Sequence, residues 1–173
     1  MNKGMTLLII LIAFLSCNEN ETISYKSDKG FSFSYSDEEW SIEDTEDILL
    51  LFSNTIKGPD FRTNINILVQ DLSSQPMSLQ DYHILTLQQI VQALGNGSLQ
   101  NEKDIKISGI PAKEIIYKIP QDIDKGNYLE LKIKQVYLIK DNKAYLITYT
   151  SKPKDFNAFL EAANMVFETF KLD

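Results

Sequence analysis

The first seventeen residues, MNKGMTLLIILIAFLSC, decide which part of this chain can enter a fold. Lys3 supplies a short positive segment, and residues 5–15 form an almost unbroken apolar run. A helix that spans a bilayer needs about 20 apolar residues, so this run is too short to cross a membrane comfortably. Its length is typical of the apolar core of a secretory signal peptide. We therefore exclude residues 1–16 from the fold.

The small Ser16 directly precedes Cys17, and this junction resembles the cleavage site of a bacterial lipoprotein signal. Phe14 and Leu15 depart from the usual motif, which has Leu three residues before the cysteine. The resemblance implies that Cys17 becomes the first residue and carries acyl chains, palmitate among them. Two or more lipid chains give stable anchoring. The alternatives are an ordinary secretory peptide with a free thiol and an uncleaved anchor.

The mature chain is then organised in two parts. Residues 17–22 contain the lipidated cysteine and a short polar tether, and residues 23–173 form a single domain, long enough to bury a real core. The acidic tether resembles export signals that follow some lipoprotein cysteines. It therefore favours the outer over the inner membrane of a bacterial cell envelope.

The charge balance restricts the partners of this chain. The chain has 17 Lys and Arg against 24 Asp and Glu, which gives a net charge of −7. Loss of Lys3 with the leader changes the net charge to about −8. Without a basic cluster the domain is not suited to nucleic acid or to anionic lipid. Cys17 is the only cysteine, which excludes disulfide and zinc–thiolate chemistry in the fold.

Alternation of apolar and polar residues, or short apolar runs, predicts most of the sheet. Gly30 and the pair Asp141-Asn142 are turn residues that predict two hairpins. Residues 54–62 and 120–127 are predicted as loops. The predicted strand segments are 23–25, 31–35, 48–52, 64–72, 104–108, 112–119, 128–140 and 143–150.

Two helices are predicted from apolar residues at helical spacing. The first has Ser78 as N-cap, Asp81 at the third helical position and Gly95 as its stop signal. The second begins near Pro153 and carries an apolar stripe that must dock on the sheet. The residues expected to face the sheet are Ile84, Leu87, Ile90, Val91 and Leu94 in the first helix, and Phe156, Phe159, Leu160, Ala163, Val166, Phe167 and Phe170 in the second.

The order of strands, helix, strands and helix predicts an α+β domain with a mainly antiparallel sheet. In detail the chain resembles the PsbP-like family. The likeness rests on residues 30–35 (GFSFSY) leading to Trp40, on residues 64–69 and 107–112 (ISGIPA), and on residues 143–151 with the final helix. It implies an α-β-α sandwich, a central antiparallel sheet flanked by helices. It implies partner-binding or assembly roles and transfers no catalytic residue.

Few residues suggest a catalytic, metal-binding or phosphate-binding role. His83 is the only histidine, and ordinary packing explains it better than a metal or catalytic role. Residues 37–47 form an acidic segment that a solvated loop explains better than a cation site. Asp122 and Asp124 resemble a hydrolase pair but lie in a polar stretch without an apolar pocket. Residues 95–97 (GNG) lack the flanking elements of a phosphate loop.

These observations predict a lipid-anchored envelope protein that is not an enzyme, holds no cofactor or metal, and acts by binding a protein partner or supporting an assembly. The alternative is a carrier of a small ligand, with a pocket between sheet and helices lined by Tyr and Phe. A hydrolase that uses Asp122 and Asp124 is a third class.

Replacement of the anchoring residue tests the leader prediction. Cys17→Ala removes the only acceptor for acyl chains, so the protein should appear in soluble fractions or remain unprocessed. Membrane fractionation and intact-mass measurement of both forms check this outcome. Unchanged membrane retention together with unchanged mass would reject lipidation at Cys17.

Overall fold

The computed structural model describes residues 22–45, 48–57, 61–124 and 126–173, and within them the chain forms ten strands and two helices. The elements in chain order are β1 (Thr22–Ser27), β2 (Phe31–Ser36), β3 (Trp40–Asp44), β4 (Ile48–Lys57), β5 (Arg62–Asp71), α1 (Leu79–Leu94), β6 (Leu99–Ile107), β7 (Ile110–Asp124), β8 (Asn127–Lys140), β9 (Lys143–Ser151), α2 (Leu160–Thr169) and β10 (Lys171–Leu172).

The strands form two antiparallel sheets. Seven strands pair in the order β3-β4-β5-β9-β8-β7-β6, and three pair in the order β1-β2-β10. The predicted hairpins are confirmed: β1 pairs with β2 across Gly30, and β8 pairs with β9 across Asp141 and Asn142. Both of these last residues have positive φ, as a two-residue hairpin turn requires. The predicted α+β domain with a mainly antiparallel sheet is confirmed.

The seven-stranded sheet is covered on both faces. In β9, Tyr145, Ile147 and Tyr149 join a core that contains α2 and the three-stranded sheet. Ala144 and Leu146, which alternate with them, join a second core under α1. The domain therefore has three layers: α1, the large sheet, and a layer made of α2 with the small sheet.

The stripe on the second helix docks as expected. Val166, Phe167 and Phe170 are buried, and the ring centroids of Phe170 and Phe31 are 5.3 Å apart. The Thr169 hydroxyl accepts a hydrogen bond from the Ser34 amide at 2.8 Å. These contacts join α2 to β2 across a long stretch of sequence.

The second helix starts later than Pro153, so that prediction is wrong. Residues 153–158 form turns, and α2 begins at Leu160. Phe156 is buried in these turns, and its carbonyl accepts a hydrogen bond from the Tyr149 hydroxyl at 2.8 Å. In a helix that carbonyl would accept from the amide of residue 160. The hydrogen bond from Tyr149 in β9 therefore occupies the carbonyl that a helix starting before residue 156 would use.

The first helix has the predicted ends. Ser78 and Asp81 form a reciprocal capping box at the start of the helix. At its end the Gly95 amide donates to the Val91 carbonyl, and Gly95 has a φ of +86°. Its orientation differs from the prediction, because Ile84 and Val91 are exposed. Tyr82 and His83 are buried in their place, and hydrogen bonds to the sheet keep them there.

Three predicted loops are partly strand. Within the acidic segment 37–47, residues 40–44 form β3, because they pair with β4. β7 continues to Asp124 and β8 begins at Asn127, so residues 120–127 form the end of a long ribbon. β6 pairs with β7 only as far as Tyr117, which leaves Pro120 on an edge strand where proline is tolerated. β4 extends to Lys57, and the remainder of the predicted loop at 58–60 lies outside the described residues.

Alanine substitutions distinguish the two kinds of apolar position. Ile147→Ala empties a fully buried site on β9 and should lower the free energy of unfolding by about 2–5 kcal/mol. Ile84→Ala removes an exposed side chain and should change it by no more than about 0.5 kcal/mol. Urea unfolding of both variants measures the difference. Equal losses would mean that Ile84 faces the sheet after all.

Candidate functional site

The exposed side of α1 carries an uncharged surface, which we call the α1 face and define as Ile84, Leu85, Gln88, Val91 and Gln92. Three of these are large apolar residues with exposed fractions of 45%, 40% and 36% for Ile84, Leu85 and Val91. The chain has no Asp, Glu, Lys or Arg from residue 82 to residue 101, although 24% of all residues are charged.

The composition of the α1 face suits contact with a protein. The centres of protein interfaces are depleted in charged residues. A helix that lies on a membrane instead combines its apolar face with Lys and Arg on the polar face. The α1 face has glutamines there, so its chemistry favours a protein.

His83 and Tyr137 form a buried pair beneath α1. Nδ1 of His83 lies 2.5 Å from the Tyr137 hydroxyl, and Nε2 lies 3.5 Å from Oε2 of Glu102. Burial lowers the pKa of His83 and the positive Lys113 lowers it further, whereas Glu102 and Asp104 raise it. A neutral ring can accept from Tyr137 at Nδ1 and donate to Glu102 from Nε2, so both ring nitrogens have partners.

A Glu–His–Tyr chain has the components of a proton relay, but the tyrosine at the inner end of this one is buried. Tyr137 is completely buried, and desolvation raises the pKa of its hydroxyl above the ordinary tyrosine value. The ring of Tyr82 packs against it with centroids 5.5 Å apart. The pair therefore fixes α1 on the sheet, in agreement with the packing role predicted for His83.

A second polar cluster lies under α2. The buried Glu114 accepts from Lys103 at 3.0 Å and from Lys134 at 3.2 Å. Lys134 also donates to Asn164 at 2.8 Å and lies over the ring of Phe167, 4.6 Å from its centroid. Every charge in this group has a partner, so the cluster ties β6, β7 and β8 to α2.

The acidic residues are dispersed in the part of the chain that the structure describes. Within it, no three His, Cys, Asp or Glu side chains are close enough to hold a metal ion. Asp37 and Glu38 lie in an exposed turn and Glu43 in β3, whereas residues 46–47 lie outside the described ranges. Asp122 accepts from the Gly126 amide near the end of the ribbon, and the side chain of residue 124 is not among those described.

A cavity of about 460 Å³ lies between the start of α2 and the strands β3 and β4. Trp40, Phe159, Ala162 and Met165 supply its apolar wall. This volume is within the range of small-molecule sites. We call it the Trp40 cavity.

The polar part of the Trp40 cavity is unusual in two respects. Glu39 and Glu161 belong to its wall, and none of the described wall residues is basic. Ser36 and Trp40 are 3% and 1% exposed, and neither the hydroxyl of Ser36 nor Nε1 of Trp40 has a hydrogen-bond partner among the described residues. An unpaired buried polar group costs about 1–3 kcal/mol.

The sequence predicted this site only in outline. The expected carrier pocket lies between sheet and helix, as the Trp40 cavity does. Its described wall residues include tryptophan, methionine and alanine, with a single phenylalanine and no tyrosine. Cys17 lies outside the described residues, and within these no helix is long and apolar enough to cross a membrane.

The buried histidine makes stability depend on pH. The pKa of His83 is lower in the folded state than the value of about 6.5 expected for the unfolded chain, so the unfolded chain binds more protons. The free energy of unfolding should be fully retained above pH 7 and should fall as the pH drops through 6.5. His83→Gln should remove this dependence between pH 7.5 and 5.5, which urea midpoints measure. Equal slopes in both proteins would contradict it.

Solved structures resemble the domain over nearly its whole length. The cyanobacterial PsbP of Synechocystis is 12% identical with a TM-score of 0.59, and the match covers 91% of this chain and 96% of that one. A protein of unknown function from Pseudomonas aeruginosa is 19% identical with a TM-score of 0.59 and coverages of 86% and 94%. LpqN of Mycobacterium tuberculosis, which is involved in cell envelope biogenesis, is 13% identical with a TM-score of 0.55 and coverages of 88% and 92%.

At these low identities, the TM-scores show a shared fold and nothing more. No curated protein matches the sequence. The model of the family described as PsbP-like protein matches residues 16–172, which include every described element of the fold. The chain therefore belongs to the PsbP-like family, as its sequence predicted.

Proposed function

We propose that this PsbP-like domain is a lipid-anchored, non-enzymatic protein of the bacterial cell envelope that binds a protein partner through the α1 face. The observation that carries the proposal is the exposure of Ile84, Leu85 and Val91 on a helix surface whose only charged residue, Asp81, lies in the first turn. Large exposed apolar side chains grouped on one surface are typical of interaction sites.

The position of the proposed anchor leaves the α1 face accessible. β1 begins at Thr22, five residues after Cys17, and five extended residues span at most about 18 Å. β1 belongs to the layer that contains α2, whereas α1 covers the opposite face of the large sheet. Acyl chains on Cys17 would hold the first layer near the membrane, with the α1 face on the other side of the sheet.

The buried clusters support a binding role over catalysis. His83 is paired with Tyr137 and Glu102, and Glu114 is paired with two lysines, so these groups are occupied by one another. LpqN, which shares the fold, is involved in cell envelope biogenesis, and this supports an envelope location. The acidic tether supports the outer membrane.

A photo-crosslinking residue at position 91 tests the proposal in the envelope of the source bacterium. It should give an adduct with one distinct protein. Adding Ile84→Glu should reduce the crosslinked fraction at least about tenfold, because an unpaired carboxylate buried in an interface costs several kcal/mol. Intact mass and gel analysis of the full-length chain measure the adduct.

The control adds the same charge elsewhere. Asn127 is exposed at the end of the β7–β8 ribbon, so Asn127→Glu should leave the adduct unchanged. Adducts with lipid alone would assign the α1 face to the membrane, and adducts with a second copy alone would assign it to self-association. Either result, or equal loss in both variants, would contradict the proposal.

A further inference from the structure

We propose that the Trp40 cavity binds a small amphiphile that carries an amine and an oxygen acceptor on an apolar body. This site lies on the opposite side of the large sheet from the α1 face, and the inference stands independently of the protein partner. Four properties of its wall define the ligand: its shape, its unpaired groups, its charge and the start of α2.

The shape and the apolar wall select the body of the ligand. A volume of about 460 Å³ accommodates a small organic molecule and exceeds what a single water needs. Trp40, Phe159 and Met165 give the cavity apolar and polarizable surface. Such a surface favours a short alkyl or aromatic group over a strongly hydrated ion.

The unpaired groups select an oxygen acceptor. The indole N–H of Trp40 is a donor only, and the hydroxyl of Ser36 can donate as well. Both residues are part of the cavity wall, and both groups lack a partner among the described residues. A hydroxyl or carbonyl oxygen of a ligand can accept from either one and so recover part of the cost of burying it.

The start of α2 adds to this preference. No side chain caps the helix at Phe159, although its first turn supplies Glu161 and Ala162 to the cavity wall. The first amides of a helix have no partner within the helix and attract acceptor atoms. The Leu160 amide donates to the Asn157 carbonyl, so this preference depends on the amides of Glu161 and Ala162.

The charge of the cavity wall indicates which charged group the ligand carries. Glu39 is partly exposed and Glu161 is exposed, so both carboxylates lie at the rim of the cavity. The two carboxylates are the only charged side chains among the described residues of the wall, so they would repel an anionic ligand and attract an ammonium group. A ligand with an ammonium group and an oxygen acceptor satisfies both ends of the site.

Trp40 reports binding directly, because it is the only tryptophan of the chain. We would titrate the full-length protein with four water-soluble probes of one length: 6-aminohexan-1-ol, hexane-1,6-diol, 6-hydroxyhexanoate and hexylamine. Tryptophan fluorescence is recorded during each titration, and its emission should change as the indole N–H gains a hydrogen-bond partner. The aminoalcohol should bind several-fold more tightly than the diol or hexylamine, and the hydroxyacid should bind most weakly.

Variants assign the effect to the cavity. Glu39→Gln and Glu161→Gln should each weaken the aminoalcohol by about two- to fivefold and leave the diol unchanged. Ser36→Ala should weaken both the aminoalcohol and the diol by about two- to tenfold. Glu168→Gln is the matched control, because Glu168 is exposed on α2 outside the cavity wall, and it should change nothing.

The order of the four probes on the unmodified protein does not depend on the folding of any variant. No change in emission with any probe would overturn the inference, and so would tighter binding of the hydroxyacid than of the aminoalcohol. Saturation-transfer NMR on the same samples detects bound probe without relying on Trp40. Crosslinking at the α1 face would be unaffected by either outcome, so the two proposals fail separately.

Discussion

Strand β9 is buried on both faces, and the arrangement of the rest of the domain depends on this. Its side chains alternate between two cores, with Tyr145, Ile147 and Tyr149 on one side and Ala144 and Leu146 on the other. A sheet that is apolar on both faces needs a covering layer on each. α1 supplies one layer, and α2 with the small sheet supplies the other. β9 also lies between β5 and β8, so it joins the two halves of the large sheet.

The buried polar groups separate into two kinds, and the difference suggests where binding occurs. The pair of His83 and Tyr137 has its hydrogen bonds inside the protein, and so does Glu114 with its two lysines. Such groups orient the helices relative to the sheet. Their hydrogen bonds are made within the protein, so they offer no unpaired polar group to a ligand. Ser36 and Trp40 keep unpaired groups beside a cavity, where a ligand can complete them.

Local features of the fold could be predicted because their cause lies within a few residues. The hairpin at Asp141-Asn142 requires positive φ at two positions, and the capping box at Ser78 joins residues three apart. The start of α2 could not be predicted in this way, since the Tyr149 hydroxyl takes the Phe156 carbonyl. The ribbon beyond Pro120 escaped prediction for a related reason: its polar residues form a strand only because β8 pairs with them.

The sequence by itself determined the order of strands and helices apart from β3 and β10, the acidic charge and the family, because period, composition and turn chemistry are properties of neighbouring residues. It also pointed to Cys17 as the proposed anchor. Only the tertiary structure decided which side of α1 meets the sheet, since hydrogen bonds from Tyr82 and His83 to distant strands turn Ile84 and Val91 outward. It likewise decided the Trp40 cavity, because folding alone brings the turn before β3 against the first turn of α2.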